Sequence, residues 1–248
     1  MSLKAPDTIC TEKTSGWCPG CGHGIVTRIM AEALDELGLT ENTVIVKDVA
    51  CGAMLDRWTT FNNMVAAHGR PMVTAAGLKR VRPDQTVISH SGDGSAYSIG
   101  IESTIHCALR NENILAIVVN NSVFGMTGGQ MSPATLPGQK TTSSPRGRDP
   151  EKNGNPIDIV KLLEKLDIAY LARGSVDSPR EIIKTQKMLK KALEKQQRNA
   201  GFCLVEILSP CPTNWGRSPA DSMKFIREAQ ELYFPLGEFI DKDVKNND

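Results

Sequence analysis

Apolar positions along the 248-residue chain change period several times, and each change marks an element. Ile25, Ile29, Ala33 and Leu37 recur at helical spacing and predict an amphipathic helix after Gly22 that stops near Gly38. Thr43 to Val49 reads as a strand ending in Ala50-Cys51-Gly52, and a short apolar helix follows from Met72 to Val81 before the Pro83-Asp84 turn. Thr86 to Ser89 is a second strand, and the helix after it carries Ile101, Ile105, Ala108 and Leu109 on one face. Ile114 to Val119 is a continuous apolar run suited to a strand buried on both faces. These last three elements form a β-α-β unit. From Ser122 to Asn155 the periodicity is lost among Gly, Ser, Thr and Pro, which predicts a functional loop or a lid. Three later helices are predicted to start at Asn155-Pro156, Ser178-Pro179 and Ser218-Pro219, each a capping residue followed by proline. Ser178 with Glu181 adds a capping box. Ile168 to Leu171 and Phe202 to Leu208 are strand candidates between them, and no internal repeat is visible.

This order predicts an α/β fold with a doubly wound, mainly parallel sheet. A single domain over residues 1–248 is expected, with an N-terminal C-x-x-C arm and a C-terminal helical tail. Cys51, Asp93, Asn121 and Cys211 each follow a predicted strand, so all four should emerge on one carboxyl edge, where open α/β sheets bind ligands.

Composition narrows the chemistry. Lysine plus arginine number 29 against 28 aspartate plus glutamate, so neither nucleic acid nor a membrane surface is implied. The first residues lack a signal core, and no apolar run approaches the roughly 20 residues of a membrane span, which favours a cytoplasmic location. Seven cysteines in a chain too long to need disulfide staples point first to metal or cluster ligation. Aromatic residues are only 5%, so a cofactor is expected to be held by backbone, metal and small polar groups.

Gly92-Asp93-Gly94 closes one apolar run and Asn120-Asn121 closes the next, with 25 residues between Gly94 and Asn120. A carboxylate and an amide oxygen are hard ligands suited to Mg²⁺, which completes its octahedron with phosphate oxygens and water. Gly92 and Gly94 allow close approach of a phosphate, amides near Ser95 and Ala96 open the next helix, and Gly125 with Thr127-Gly128-Gly129 offers further donors. The plainer reading is a strand-to-helix turn beside a polar strand end. With this spacing the residues look like the thiamine diphosphate fingerprint. That resemblance implies that Asp93, the Asn121 side chain and the Val123 carbonyl hold Mg²⁺ against the diphosphate, on a sheet of the diphosphate-domain type.

Gly16-Trp-Cys18-Pro-Gly-Cys21-Gly22 carries a C-x-x-C at a helix mouth, a spacing used by redox dithiols, zinc sites and iron–sulfur sites alike. Together with ACG at Cys51, HGR at His68, SGDGSAYSIG, the segment NNSVFGMTGGQMSPATLPGQKTTSSPRGRD and LSPCPTNWG, it resembles the β subunit of the 2-oxoacid:ferredoxin oxidoreductases. The long loop and PCPTNW look closest to the branched-chain, 2-oxoisovalerate type. The resemblance implies that Cys18, Cys21, Cys51 and Cys211 ligate a [4Fe-4S] cluster. It implies oxidative decarboxylation of a 2-oxoacid, transfer of the acyl group to coenzyme A, and electron flow through the cluster to ferredoxin. The activating glutamate of thiamine enzymes belongs to a pyrimidine-binding domain, which an α subunit should supply, with γ and ferredoxin-like δ subunits or domains beside it. Structural zinc on the same thiolates, a non-oxidative thiamine-dependent decarboxylase and a zinc-stabilised nucleotide-binding module are the competing readings.

Other candidates carry two readings each. His68 either contacts the diphosphate or caps the following helix. His23 fixes local backbone or tunes the cluster, and His106 is read as structural. Met54 and Met126 line an acyl pocket or belong to the core. Cys107 and Cys203 read as core, and Cys10 has no assigned role. Lys184, Lys187, Lys190, Lys191, Lys195 and Arg198 make one helix basic, as a solvated face or a docking face for an acidic ferredoxin.

Overall fold

The computed structural model describes residues 4–242. One seven-stranded sheet runs in the order β2-β1-β3-β4-β8-β7-β9, with β1 at Thr43–Asp48, β2 at Asn62–Ala66, β3 at Thr86–Gly92, β4 at Leu115–Asn120, β7 at Tyr170–Ser175, β8 at Cys203–Leu208 and β9 at Gly237–Asp241. All neighbours pair in parallel except β7 with β9. The doubly wound, mainly parallel α/β expectation holds.

Parallel strands need crossovers, and the crossover helices bury both faces. α1 (His23–Glu36) and α6 (Pro179–Gln197) cover one face over Ile45, Ile88, Ile117 and Val205. α2 (Pro71–Val81), α3 (Ile101–Leu109) and α5 (Ile159–Leu163) cover the other over Val46, Val87, Val118 and Leu204. Cys107 and Cys203 sit in this core as read. No helix among the described residues is long and apolar enough to cross a membrane.

Five expectations need correction. The helix after Gly94 begins with a π turn over Ser95–Ile99, closed by a hydrogen bond from Gly100 N–H to the Ser95 carbonyl (2.9 Å). The wider turn rotates α3, so Ser103, Thr104, Cys107 and Ala108 face inward and Leu109 is 56% exposed, outside the expected apolar face. The helix expected at Asn155-Pro156 starts instead at Ile159, where Asp158 accepts from Val160 N–H (3.2 Å), because the Asn155 carbonyl already serves Arg148. The strand expected at Ile168 to Leu171 runs from Tyr170 to Ser175, its polar half buried by ion pairing of Arg173 with Glu206 and Asp158. The helical tail ends in β9, antiparallel at the sheet edge.

The fifth concerns 122–155, where the loss of periodicity is not a loss of structure. β5 (Val123–Phe124) and β6 (Gln130–Met131) form a hairpin, and α4 (Pro150–Asn153) follows. Buried Arg148 donates to the carbonyls of Ser132, Pro133, Thr135, Asn153, Gly154 and Asn155. The short helices α7 (Pro212–Trp215) and α8 (Pro219–Phe225) pack near it, α8 capped by Ser218 as expected, just as Ser178 caps α6.

Candidate active site

β1, β3, β4 and β8 end on one edge and deliver Cys51, Asp93, Asn121 and Cys211 there together. Two cavities open at this edge. The first, of about 260 Å³, is lined by Gly92, Asp93, Gly94, Ser95, Asn121, Val123, Gly125, Thr127, His68 and Cys51, so every residue read as cofactor-binding meets in one place. The second, of about 280 Å³, is lined by Cys18, Cys21, Cys51 and Cys211 with Trp17, Met54 and Asn214 among others. The two adjoin at Cys51, Asn121, Gly125 and Met126.

In the first cavity Asp93 is buried, accepts from Ser132 Oγ–H and receives Asn121 N–H on Oδ1 (3.3 Å). Burial pushes its carboxyl up to about 7 against those hydrogen bonds, with the Glu206 charge adding to the rise. A carboxylate held this way gains from a cation placed before it. Asn121 folds its side-chain oxygen back onto Val123 N–H (3.2 Å), and Ser122 between them takes φ +54. Asp93, Asn121 and Val123 line the same cavity, and a carboxylate, an amide oxygen and a carbonyl are the donor types that suit Mg²⁺ with phosphate. Gly94 has no room for a side chain, since a Cβ would lie 2.5 Å from the Phe124 ring. The amides of Gly128 and Gly129 are consumed by the Gly125 and Phe124 carbonyls, so the run Thr127-Gly128-Gly129 is no free donor row.

Asp48 was not singled out from the sequence. It is buried at the end of β1, lines the cavity, meets His68 Nδ1 at 2.9 Å and accepts from Gly69 N–H (3.3 Å). Its signal was an acid closing an apolar strand. His68 thereby has its ring fixed through Nδ1, with no partner for Nε2 among the described residues, and it caps no helix, since the Arg70 end of α2 has no side-chain cap.

The second cavity depends on glycines. A Cβ at Gly22 would lie 2.2 Å from Ser209 Oγ, and one at Gly20, where φ is +76, would lie 2.7 Å from the Pro219 ring. Those two glycines let the C-x-x-C arm nest against Ser209-Pro210-Cys211, fixed by Gly22 N–H to the Pro210 carbonyl (3.1 Å) and Trp17 Nε1–H to the Cys51 carbonyl (2.8 Å). Burial pushes the Cys21 thiol up to about 12 and the Cys51 thiol to about 11, and raises Cys211; the neighbouring cysteines add to each rise. Burial and mutual repulsion favour the neutral thiols here, and a positive centre among them would favour the thiolates. All four line one cavity, and among the described residues no trio of His, Cys, Asp or Glu is placed to hold a single metal ion. The donor set and the space fit a four-thiolate cluster.

His23 lies 3.3 Å from Cys21 Sγ and is buried, which lowers its pKa to about 3. His106 is exposed on α3, and Cys10 is partly buried in an arm stitched to Trp58 by a backbone hydrogen bond (2.8 Å). The basic helix clamps the chain end: Lys191 pairs with Glu238 and Asp241, and Lys195 with Asp241.

Comparison with known proteins agrees with this geometry. The C-terminal TPP binding domain of the thiamine pyrophosphate enzymes matches residues 42–207. The 2-oxoglutarate synthase subunit KorB of Methanocaldococcus jannaschii is 34% identical, over 86% of this chain and 77% of its own. This chain belongs to the thiamine diphosphate-binding β-subunit family of the 2-oxoacid:ferredoxin oxidoreductases. The ketoisovalerate oxidoreductase subunit VorA of Methanothermobacter thermautotrophicus is 39% identical over 92% of the β-type chain described here, which spans about half (48%) of that relative's length. A 2-oxoglutarate:ferredoxin oxidoreductase from Magnetococcus marinus, solved with 2-oxoglutarate, coenzyme A and succinyl-CoA bound, superposes at TM-score 0.78 with 25% identity, covering 98% of this subunit and 87% of that chain.

Proposed function

We propose that this chain is the cofactor- and cluster-bearing subunit of an enzyme that oxidatively decarboxylates a 2-oxoacid, passes the acyl group to coenzyme A and sends electrons to ferredoxin. The observation that carries the proposal is the adjacency of the two cavities across Cys51, Asn121, Gly125 and Met126. Thiamine diphosphate supplies the electron sink for decarboxylation. This chain's part is to seat and orient it. Asp93, Asn121 and the Val123 carbonyl would hold Mg²⁺, Gly92, Gly94 and Ser95 would receive the diphosphate, and His68, held by Asp48, would face it. Cys18, Cys21, Cys51 and Cys211 would ligate a [4Fe-4S] cluster beside it.

A branched-chain acid is the favoured substrate. Neither cavity is lined by lysine or arginine that could pair with a second carboxylate, while Val49, Met54 and Met126 give apolar walls. The partner is an α-type subunit with the pyrimidine-binding half, and γ- and δ-type components and ferredoxin complete the electron path.

Anaerobic purification of the intact enzyme followed by iron, acid-labile sulfide and thiamine diphosphate assays tests the reading. Four irons per chain with bound thiamine diphosphate, and faster ferredoxin reduction with 2-oxoisovalerate than with pyruvate, 2-oxoglutarate or indolepyruvate, is the expected result. An active, colourless, iron-free complex would assign a non-oxidative decarboxylase instead, and zinc without thiamine diphosphate would assign a nucleotide-binding module.

A further inference from the structure

The two cavities are tied together by one short helix, and two of its side chains make the ties. Asn214 Nδ2 carries two N–H groups: it stands 2.9 Å from the Gly125 carbonyl, in the loop that lines the cofactor cavity, and 3.3 Å from Cys211 Sγ, in the thiol cavity. Trp215 Nε1–H donates to the Asn121 carbonyl (3.1 Å). Gly125 is the crossing point, because a Cβ there would lie 3.3 Å from Cys51 Sγ, 3.5 Å from Asn121 Nδ2 and 3.6 Å from Asn214 Nδ2. A Cβ at Gly129 would come within 3.0 Å of the Asn214 side chain, so the amide is hemmed between the glycine turn and its own helix.

We propose that Asn214 is a positioning residue that couples the cofactor loop to the iron–sulfur site, dividing its amide hydrogens between the Gly125 carbonyl and the Cys211 sulfur. The inference rests on the reading of the four thiols as cluster ligands and of the Asn121–Gly125 loop as part of the cofactor site. An N–H donated to a ligating sulfur withdraws electron density and favours the reduced, more negative cluster, so its removal lowers the reduction potential. The Gly125 carbonyl competes for the same amide group. When diphosphate and metal seat against Asn121 to Gly125, any movement of that carbonyl changes the geometry of the N–H that reaches sulfur. Trp215 makes the connection stiff, since it holds the residue at the start of the loop to the helix that carries Asn214. Loading the cofactor thus retunes the centre that accepts its electrons.

The test is a reductive titration of the intact, anaerobically purified enzyme, followed by electron paramagnetic resonance, with and without thiamine diphosphate and Mg²⁺. In the unsubstituted enzyme the cluster potential shifts on cofactor loading. Asn214→Leu, close in size but without N–H donors, gives a more negative potential and abolishes the shift. Trp215→Phe keeps the cofactor-free potential and shrinks the shift. Should Asn214→Leu fail to retain iron, Asn214→Ala removes the same amide with less bulk and no donor, and is read the same way. A potential indifferent to the cofactor in the unsubstituted enzyme, or an Asn214 variant with unchanged potential and shift, overturns the coupling while leaving the cluster assignment intact. An enzyme without iron overturns both.

Discussion

Asp93 and His90 show how differently two buried groups act a few residues apart on β3 and its end. Asp93 is a carboxyl whose pKa burial raises to about 7, with its two hydrogen bonds as partial compensation, and a cation before it would favour the charged form. On the proposed function, Asp93→Asn should therefore weaken Mg²⁺-dependent thiamine diphosphate binding at least 100-fold, read by quenching of tryptophan fluorescence, while the visible absorption of the proposed cluster stays. Loss of both signals would mark Asp93 as structural. His90 is buried with both ring nitrogens unpartnered, and burial lowers its pKa to about 4, with nearby Lys47 adding to the fall. The unfolded chain then binds more protons than the folded one between pH 6.5 and 4, so stability falls as pH drops through that window. His90→Gln should flatten the fall by on the order of 3 kcal/mol relative to the unsubstituted chain, measured as urea midpoints from pH 7 to pH 4. Equal slopes would mean the imidazole finds a partner. The sequence made Cys51, Asp93, Asn121 and Cys211 legible because each follows a strand, and a strand end fixes position. Asp48 and Asn214 were not legible, since their meaning lies in partners 21 and 89 residues away.

Among the elements, the long segment from Ser122 to Asn155 departs most from its pattern. Glycine, serine and proline carry no periodicity, and the carbonyls that order the segment have no signature in the sequence. Arg148 supplies the order by gathering six carbonyls at once, a partner set that no spacing rule predicts. Arg148→Met should leave those carbonyls unsatisfied and cost about 3 kcal/mol or more. Limited thermolysin digestion should then nick the chain between residues 122 and 155, and an intact band at unchanged stability would show that water replaces the guanidinium. β2 escaped notice for a different reason: four of its five residues are exposed at the sheet edge, so burial imposes no alternation. The π turn is a third case. It adds one residue to a helical turn and so moves the apolar face that a 3.6-residue period predicts from Ile101, Ile105 and Leu109.

At the scale of the whole molecule the proposed function makes the site half of one. The carboxylates lining the cofactor cavity are Asp48 and Asp93, and both are engaged, one by His68 and the Gly69 amide, the other by Ser132 and the Asn121 amide. Among the described residues none of the lining acids is left to meet an aminopyrimidine. The rim points the same way, because Val49 and Met126 line the cavity yet are 53% and 44% exposed, as is Ile99 beside Gly69. Apolar side chains at the lip of a cleft lose solvent contact only when another surface closes over them. Val49→Asp places a charge there without disturbing the core. It should leave thermal stability and circular dichroism unchanged, abolish co-elution with the proposed α-type partner in gel filtration and, with the proposed pyrimidine half gone, lower retention of thiamine diphosphate at least tenfold. Retained co-elution with full cofactor content would put the partner on another face, and the completing acid would then have to come from elsewhere in the assembly.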